Sequence, residues 1–234
     1  LTNFTSLDIT EIIKQSAKIL LIYTSLTIGL FVIYKLLNIR SFDAFNLGMT
    51  VISSGGFLIV NDISEILQTN FQIYVFSLSM LISFFGILLP YNILFIKKKD
   101  LLVFTEDYYL LVYLIFLVSI FFLFFNQYNN FSISLFSLIS SISNIGFSFN
   151  IYNQNNFIFI ILVIIGGSLV STSSGLRFLK IFVLTKFSLN ELISHSKPKH
   201  VLLNKVLFSK VKIELNDIKK YFFAVIIFIL TLTL

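Results

Sequence analysis

Apolar residues in this chain come in long runs separated by short polar segments, which is the pattern of membrane-spanning helices. A helix needs about 20 residues to cross a hydrocarbon core that is about 30 Å thick. Five runs are long enough, and they lie near residues 19 to 37, 71 to 96, 108 to 126, 156 to 185 and 218 to 234. The pattern predicts an all-α integral membrane protein.

Two shorter apolar stretches, 41 to 52 and 132 to 143, lie between pairs of long runs. As helices of about a dozen residues they would reach only about 18 Å, which is too short to cross the membrane. Each leads into a Gly-Phe element, and "ISSGGF" at 52 to 57 matches "ISNIGF" at 142 to 147 after a shift of 90 residues. The sequence therefore predicts two helix, pore-loop, helix repeats and the beginning of a third.

Lysine and arginine predict how the repeats are oriented. The segments after the second and fourth long runs hold eleven lysines, whereas the two opposite loops hold only Arg40. Basic loops stay on the cytoplasmic side of a membrane, so both pore loops are predicted to open outward. The predicted segments are a cytoplasmic lead-in (1–18), a repeat (19–97), a cytoplasmic loop (98–107), a repeat (108–186), a basic cytoplasmic segment (187–217) and the first helix of a truncated repeat (218–234).

Composition supports the membrane prediction and excludes other classes. The chain is 57% hydrophobic and 12% charged, and its mean hydropathy is +0.94. Its net charge of +6 is explained by membrane orientation, so no nucleic-acid partner is expected. The absence of cysteine excludes disulfides and thiolate metal sites.

The glycines of the two pore loops point to a chemical role. Non-helical backbone at membrane depth must be buried in protein or line a water-filled cavity. A short helix directs its partially negative C-terminal end at that cavity, and the carbonyl groups that follow can replace the hydration shell of a cation. Gly56 and Gly146 would permit the backbone turn, with Phe57 and Phe147 packed behind it. The alternative is an external loop that merely contains Gly-Phe.

The fourth long run predicts an interrupted helix. As one helix from Asn156 to Lys186 it would be about 46 Å long, too long to cross without bending or a break. Within it, residues 166 to 175 contain three glycines, four serines and a threonine, near the expected middle of the bilayer. The alternative is a continuous helix whose small residues pack against a neighbour.

Two stretches resemble a known family: "LVIIGGSLVSTSSGLRFLKIFVLTK" at 162 to 186 and "YTSLTIGLFVIYKLLNIRSFDAFNLGMTVISSGGF" at 23 to 57. They resemble the Trk/Ktr/HKT potassium-uptake family, specifically its TrkH-type membrane subunit. The resemblance covers nearly the whole chain. It implies a potassium-channel-like transporter fold, in which the chain holds repeats two and three of four and the start of the fourth.

The resemblance also implies functional residues. The implied ion filter comprises Ile52, Ser53, Ser54, Gly55, Gly56, Ile142, Ser143, Asn144, Ile145 and Gly146, with K+ held by the backbone carbonyls of Ser54, Gly55, Asn144 and Ile145. The implied gate loop comprises Gly166, Gly167, Ser168, Ser171, Thr172, Ser173, Ser174, Gly175, Arg177 and Lys180. Arg177 precedes Lys180, where the family usually has a lysine followed by an arginine. Both side chains have the alternative of snorkelling toward the cytoplasmic surface.

Location and partners follow from the same resemblance. It implies a multi-pass protein of the cytoplasmic (inner) membrane, a homodimer in the lipid bilayer, and a cytosolic nucleotide-binding regulatory subunit. The lysine-rich segment 186 to 220 would dock that subunit or contact anionic lipid. Potassium would be the substrate, with no covalent cofactor.

Three functional hypotheses stay open. The first is potassium uptake through the filter, gated by the Gly/Ser loop. The second is a sodium-permeable or non-selective cation transporter, and the third is a non-conducting membrane scaffold. The sequence offers no nucleophile, base and orienter set and no phosphate-binding glycine loop, so no enzyme is predicted.

Overall fold

The computed structural model describes residues 9–85, 90, 101–125, 131–149, 157–168, 171–196 and 215–233. Regular structure in these ranges is helical. The helices are α1 (Ile9–Leu36), α2 (Ser41–Ser53), α3 (Asn70–Phe84), α4 (Leu101–Phe125), α5 (Phe131–Ser143), α6 (Phe157–Ile165), α7 (Phe178–Ser196) and α8 (Leu215–Thr233), with a short 3-10 turn at Ile63–Glu65.

The helices form two copies of one unit. In the first copy, the short helix α2 packs between α1 and α3, and in the second copy α5 packs against α4 and α6. The two copies meet where α3 contacts α5. This arrangement brings the C-terminal ends of both short helices into the same region of the molecule.

Aromatic side chains fill the junction between the copies. Phe76 of α3 is fully buried, and its ring lies 5.9 Å from the ring of Phe136 in α5 and 5.5 Å from that of Tyr34 in α1. The Tyr34 hydroxyl is hydrogen-bonded to Ser79, so its polar end is satisfied inside the core. Each aromatic pair adds about 0.5–1.5 kcal/mol beyond the area it buries.

The outer surface of the helices is apolar. In the described part of the chain, Ile13–Leu36 is the helical segment that is both long and apolar enough to cross a membrane. Leu20 and Ile28 on α1 are exposed, as are Phe222 and Phe223 on α8. Large apolar side chains that point outward suit a lipid environment better than water.

Some helix limits differ from those predicted from the sequence. The run predicted at 71 to 96 is not one continuous helix, because α3 ends at Phe84 and Phe85 is extended. Residues 86–89 and 91–96 lie outside the described ranges. Helix α4 begins at Leu101, inside the segment expected to be a loop, and α7 continues beyond Lys186 to Ser196.

Candidate functional site

The two short helices end in the same backbone conformation. Ser54, directly after α2, has a left-handed conformation with φ 53°, and Asn144, directly after α5, has φ 57°. Two residues later Gly56 and Gly146 have φ 64° and 82°. We call residues 54–57 the first pore loop and residues 144–147 the second. The 90-residue repeat is therefore present in the backbone as well as in the sequence.

A hydroxyl group braces each pore loop from the last turns of its helix. In the first copy, the Oγ1 atom of Thr50 accepts a hydrogen bond of 2.9 Å from the backbone N–H of Phe57. In the second copy, the Oγ atom of Ser140 donates a bond of 2.7 Å to the backbone oxygen of Phe147. Thr50 and Ser140 are also 90 residues apart. Neither residue was predicted from the sequence, although the 90-residue repeat is the signal that could have identified them.

The residues implied as an ion filter fall into two groups. Four of them lie in the last helical turns rather than in extended chain: Ile52, Ser53, Ile142 and Ser143. The other six follow the helices: Ser54, Gly55, Gly56, Asn144, Ile145 and Gly146. Both helices direct their partially negative ends at the pore loops, which favours a cation there.

The two pore loops touch each other. A Cβ atom added to Gly56 would overlap the backbone oxygen of Ile145 in the other copy. A Cβ atom added to Gly146 would meet nothing within 4 Å. Gly56 therefore needs to be a glycine for two reasons, its positive φ and this close approach, whereas Gly146 needs to be one for its φ alone.

The two phenylalanines after the glycines have different surroundings. Phe147 is 4% exposed, and its ring lies 5.7 Å from that of Phe76. Phe57 is 79% exposed, so the expectation that it packs behind the first pore loop is wrong for the described chain. Phe147 is covered because it faces the junction between the copies, and the described chain has no such junction on the side of Phe57.

The helix after the second pore loop is broken between Ile165 and Phe178, where the sequence predicted an interruption. We call the described residues between these two helices, 166–168 and 171–177, the break loop. Gly166 and Gly175 face each other where the loop begins and ends, with φ 68° and 95°. A Cβ atom on Gly166 would overlap the backbone oxygen of Ser174. A continuous helix of small residues is therefore excluded for this segment.

Arg177 points into the break loop. Its Nη1 atom, which carries two hydrogens, lies within hydrogen-bonding distance of the backbone oxygens of Ser168, Ser171 and Ser173, at 3.2, 2.9 and 2.6 Å, and of Ser171 Oγ, at 3.0 Å. The charge is thus used to gather carbonyl groups and does not snorkel away from them. Lys180 lies one turn further along, inside α7.

The break loop rests on the end of α3. The backbone N–H of Ser168 donates to the oxygen of Phe84 at 3.0 Å, and that of Ser173 donates to the oxygen of Ser83 at 3.4 Å. These two carbonyls are available because α3 ends at Phe84 and leaves its last acceptors without helical partners. The early end of α3 thus forms part of the site.

The break loop also contacts both pore loops. Ser54 Oγ lies 3.1 Å from Thr172 Oγ1. The Nδ2 atom of Asn144 donates to the backbone oxygens of Val163 and Ser174, at 3.0 and 2.8 Å. The loop therefore lies directly against the segments that were predicted to form a filter.

Comparison with known proteins identifies the fold. No family model matches the chain, and no curated protein is found to be similar. Among solved structures, the crystal structure of the potassium transporter TrkH from Vibrio parahaemolyticus is similar, with a TM-score of 0.75 and 21% sequence identity over 96% of this chain and 51% of that one.

The chain therefore has the fold of a pore-loop membrane transporter. That fold is the TrkH type, which confirms the predicted fold class of helix, pore-loop, helix repeats and the recognised likeness at the level of fold. The chain spans about half the length of the solved transporter that it matches.

Proposed function

We propose that this chain forms part of a potassium-uptake transporter of the cytoplasmic membrane, and that the two pore loops line its ion path. TrkH, whose fold it shares, is a potassium transporter, and the apolar outer faces of α1 and α8 support a place in the bilayer. Transport of an ion requires no bond to be made or broken, so no enzymatic role is proposed.

The observation that carries the proposal is the repeated turn at the ends of α2 and α5. Both turns combine a left-handed residue with a left-handed glycine two positions later. We infer that this geometry orients successive carbonyl groups toward one side, as in a backbone filter that replaces the water around a cation. The two turns are in contact through Gly56 and Ile145, as two walls of a single path would be. Carbonyls of Ser54, Gly55, Asn144 and Ile145 are the proposed ligands of K+.

We further propose that the break loop gates this path. It lies against both pore loops and holds a guanidinium group among its carbonyls. A positive charge next to the ion path repels the cations that pass along it. Movement of the loop would remove that barrier. Leu176 is the buried apolar side chain among the described residues of the loop, which is otherwise held by hydrogen bonds of its serines, and a segment with few buried apolar contacts can open locally at low cost.

Rubidium uptake tests the proposal. Labelled rubidium replaces potassium in cells that lack other potassium uptake systems and express the protein. Gly146→Ser forces a side chain into a left-handed conformation, whereas Ser148→Ala alters only an exposed side chain. We expect Gly146→Ser to reduce uptake far more than Ser148→Ala at equal membrane abundance. Equal uptake by the two variants would reject a filter at this position.

The same assay separates the remaining hypotheses. Inhibition of rubidium uptake by sodium at concentrations similar to those of potassium would indicate a sodium-permeable or non-selective transporter. No uptake above that of cells without the protein would favour a scaffold. We expect neither result. A scaffold would gain nothing from two contacting carbonyl turns that an ordinary loop would not also provide.

Partners are proposed by analogy with the implied family. A homodimer and a cytosolic nucleotide-binding subunit are expected, with the lysine-rich segment 186 to 220 as the docking surface. Of this segment the structure describes the end of α7 and the start of α8, where Lys219 and Lys220 are exposed. Co-purification of the wild type and of a Lys219→Glu, Lys220→Glu variant tests this surface, and unchanged recovery of the regulatory subunit would reject it.

A further inference from the structure

Equivalent residues of the two copies contact the same break loop. Ser54 and Asn144 each follow a short helix, each have a left-handed backbone, and are 90 residues apart. Ser54 contacts the hydroxyl of Thr172, and Asn144 contacts the backbone of Ser174 in the loop and of Val163 in the helix that precedes it. We call Ser54 and Asn144 the bridge residues. The two bridge residues thus occupy equivalent positions in the two copies, and both contact the same loop.

The contacts of Asn144 fix the orientation of its side chain. Its two partners, the backbone oxygens of Val163 and Ser174, can only accept hydrogen bonds. The amide nitrogen must therefore face them, since the opposite orientation would place an oxygen against two oxygens. One of the partners belongs to the last turn of α6, and the other lies just before Gly175 at the far end of the loop. The amide thus ties the last turn of α6 to the far part of the loop.

The bridge joins two elements with different tasks. On one side stands the backbone turn that presents carbonyls to the ion, and on the other stands the loop proposed to block the path. Opening of the loop must break the bond between Asn144 and Ser174, and a shift of the pore-loop backbone must strain it. Two states of one element that both sites influence are the physical requirement for coupling between those sites.

We propose that Ser54 and Asn144 couple the filter to the break loop, so that occupation of the filter by potassium and opening of the loop influence each other. The inference rests on the proposed function and adds to it a positioning role for two named side chains. Asn144 carries the larger share, because it donates to two carbonyl groups across the base of the loop whereas Ser54 contacts a single hydroxyl.

A buried thiol can report on loop opening. The chain contains no cysteine, and Ser173 in the break loop is fully buried. In a Ser173→Cys background, a charged thiol reagent reacts only when the loop opens. Asn144→Gly removes the amide but keeps the left-handed backbone without strain. Asn38→Gly is the matched control, since Asn38 is also left-handed, with φ 61°, but lies in the turn between α1 and α2.

We expect Asn144→Gly to raise the labelling rate at position 173 by about fivefold or more, the factor that corresponds to the net loss of one hydrogen bond. Asn38→Gly should leave the rate unchanged. Potassium should slow labelling relative to choline in the parent, and this difference should shrink in Asn144→Gly. A purely structural role of Asn144 would not change the ion dependence.

Three results would overturn the proposal. They are an unchanged labelling rate in Asn144→Gly, an equal increase in Asn38→Gly, and a potassium effect that is absent from the parent or equal in the parent and Asn144→Gly. Failure of the proposed function would appear elsewhere, as absence of rubidium uptake. The labelling rates without potassium require only that the loop opens, so the two failures are distinguishable.

Discussion

The first and second pore loops follow helices of 13 residues each and use left-handed conformations at the same two positions. Their surroundings differ. The glycine of the first loop touches the other copy, while its phenylalanine is exposed. In the second loop the glycine faces open space, and the phenylalanine is buried in the core.

This contrast shows which properties belong to a repeat and which belong to its neighbours. The helix length, the left-handed residue and the glycine are encoded within each copy, because they depend on residues a few positions apart. Burial of Phe147 depends on Phe76, a residue of the other copy. A repeat can therefore reproduce a backbone conformation, while the burial of each side chain depends on the surface that it faces.

The largest expected effect comes from alanine at the two filter glycines. At Gly146 an alanine bears only the strain of the left-handed conformation, about 1–2 kcal/mol, which corresponds to a loss of rubidium uptake of about fivefold to thirtyfold. At Gly56 the same strain is joined by overlap with Ile145, so uptake should fall further, close to background.

Gly29→Ala is the control for this pair, since Gly29 lies inside α1 and an added Cβ atom meets nothing within 4 Å. It should retain uptake. A larger loss at Gly146 than at Gly56, at equal membrane abundance, would contradict the difference between the two copies.

A smaller effect, on stability, separates the two phenylalanines. Phe147→Ala removes a buried ring and should lower the free energy of unfolding by about 3–5 kcal/mol. Phe57→Ala alters an exposed side chain and should change it by less than about 0.5 kcal/mol. Thermal unfolding of the two detergent-purified variants makes the comparison. Equal destabilisation would mean that another part of the assembled protein covers Phe57.

The smallest effect concerns a feature of the second copy alone. Arg177→Gln removes the guanidinium that gathers three carbonyls of the break loop, so the loop should open more often and rubidium uptake should rise about twofold to fivefold. Arg177→Lys keeps the charge but not the planar fork, and should give a smaller rise. Lys14→Gln, on the exposed face of α1, controls for loss of charge. A fall in uptake would indicate that the loop supports the path rather than blocks it.

The parts of the fold that arise from local patterns were predictable. The stretches expected at 41 to 52 and 132 to 143 are α2 and α5 to within one residue at each end. They could be predicted because each is a short apolar stretch that leads into a Gly-Phe element. The break after Ile165 could also be predicted, because glycine and serine are concentrated in one part of an apolar run that is too long for a single span.

The contacts between distant segments were not predictable. The early end of α3 is stabilised by the break loop, whose Ser168 is 84 positions beyond Phe84. Arg177 had two physically reasonable directions, and only the folded loop shows that its acceptors lie on the inner side. Likewise, the 90-residue repeat identified Ser54 and Asn144 as equivalent residues but did not show which residues they contact. Most residues of the candidate site could be named from the sequence, but Thr50 and Ser140 were missed, and the contacts of all of them required the structure.

Selectivity tests most directly the central claim that both pore loops line one potassium path. Inhibition of rubidium uptake by potassium and by sodium is measured for the wild type, Gly56→Ala and Gly146→Ala, with Gly29→Ala as control. We predict that potassium inhibits rubidium uptake by the wild type and Gly29→Ala at far lower concentrations than sodium does. In Gly56→Ala and Gly146→Ala, the preference for potassium should be weaker in the uptake that remains. A preference for potassium that is unchanged in both filter variants would contradict the claim.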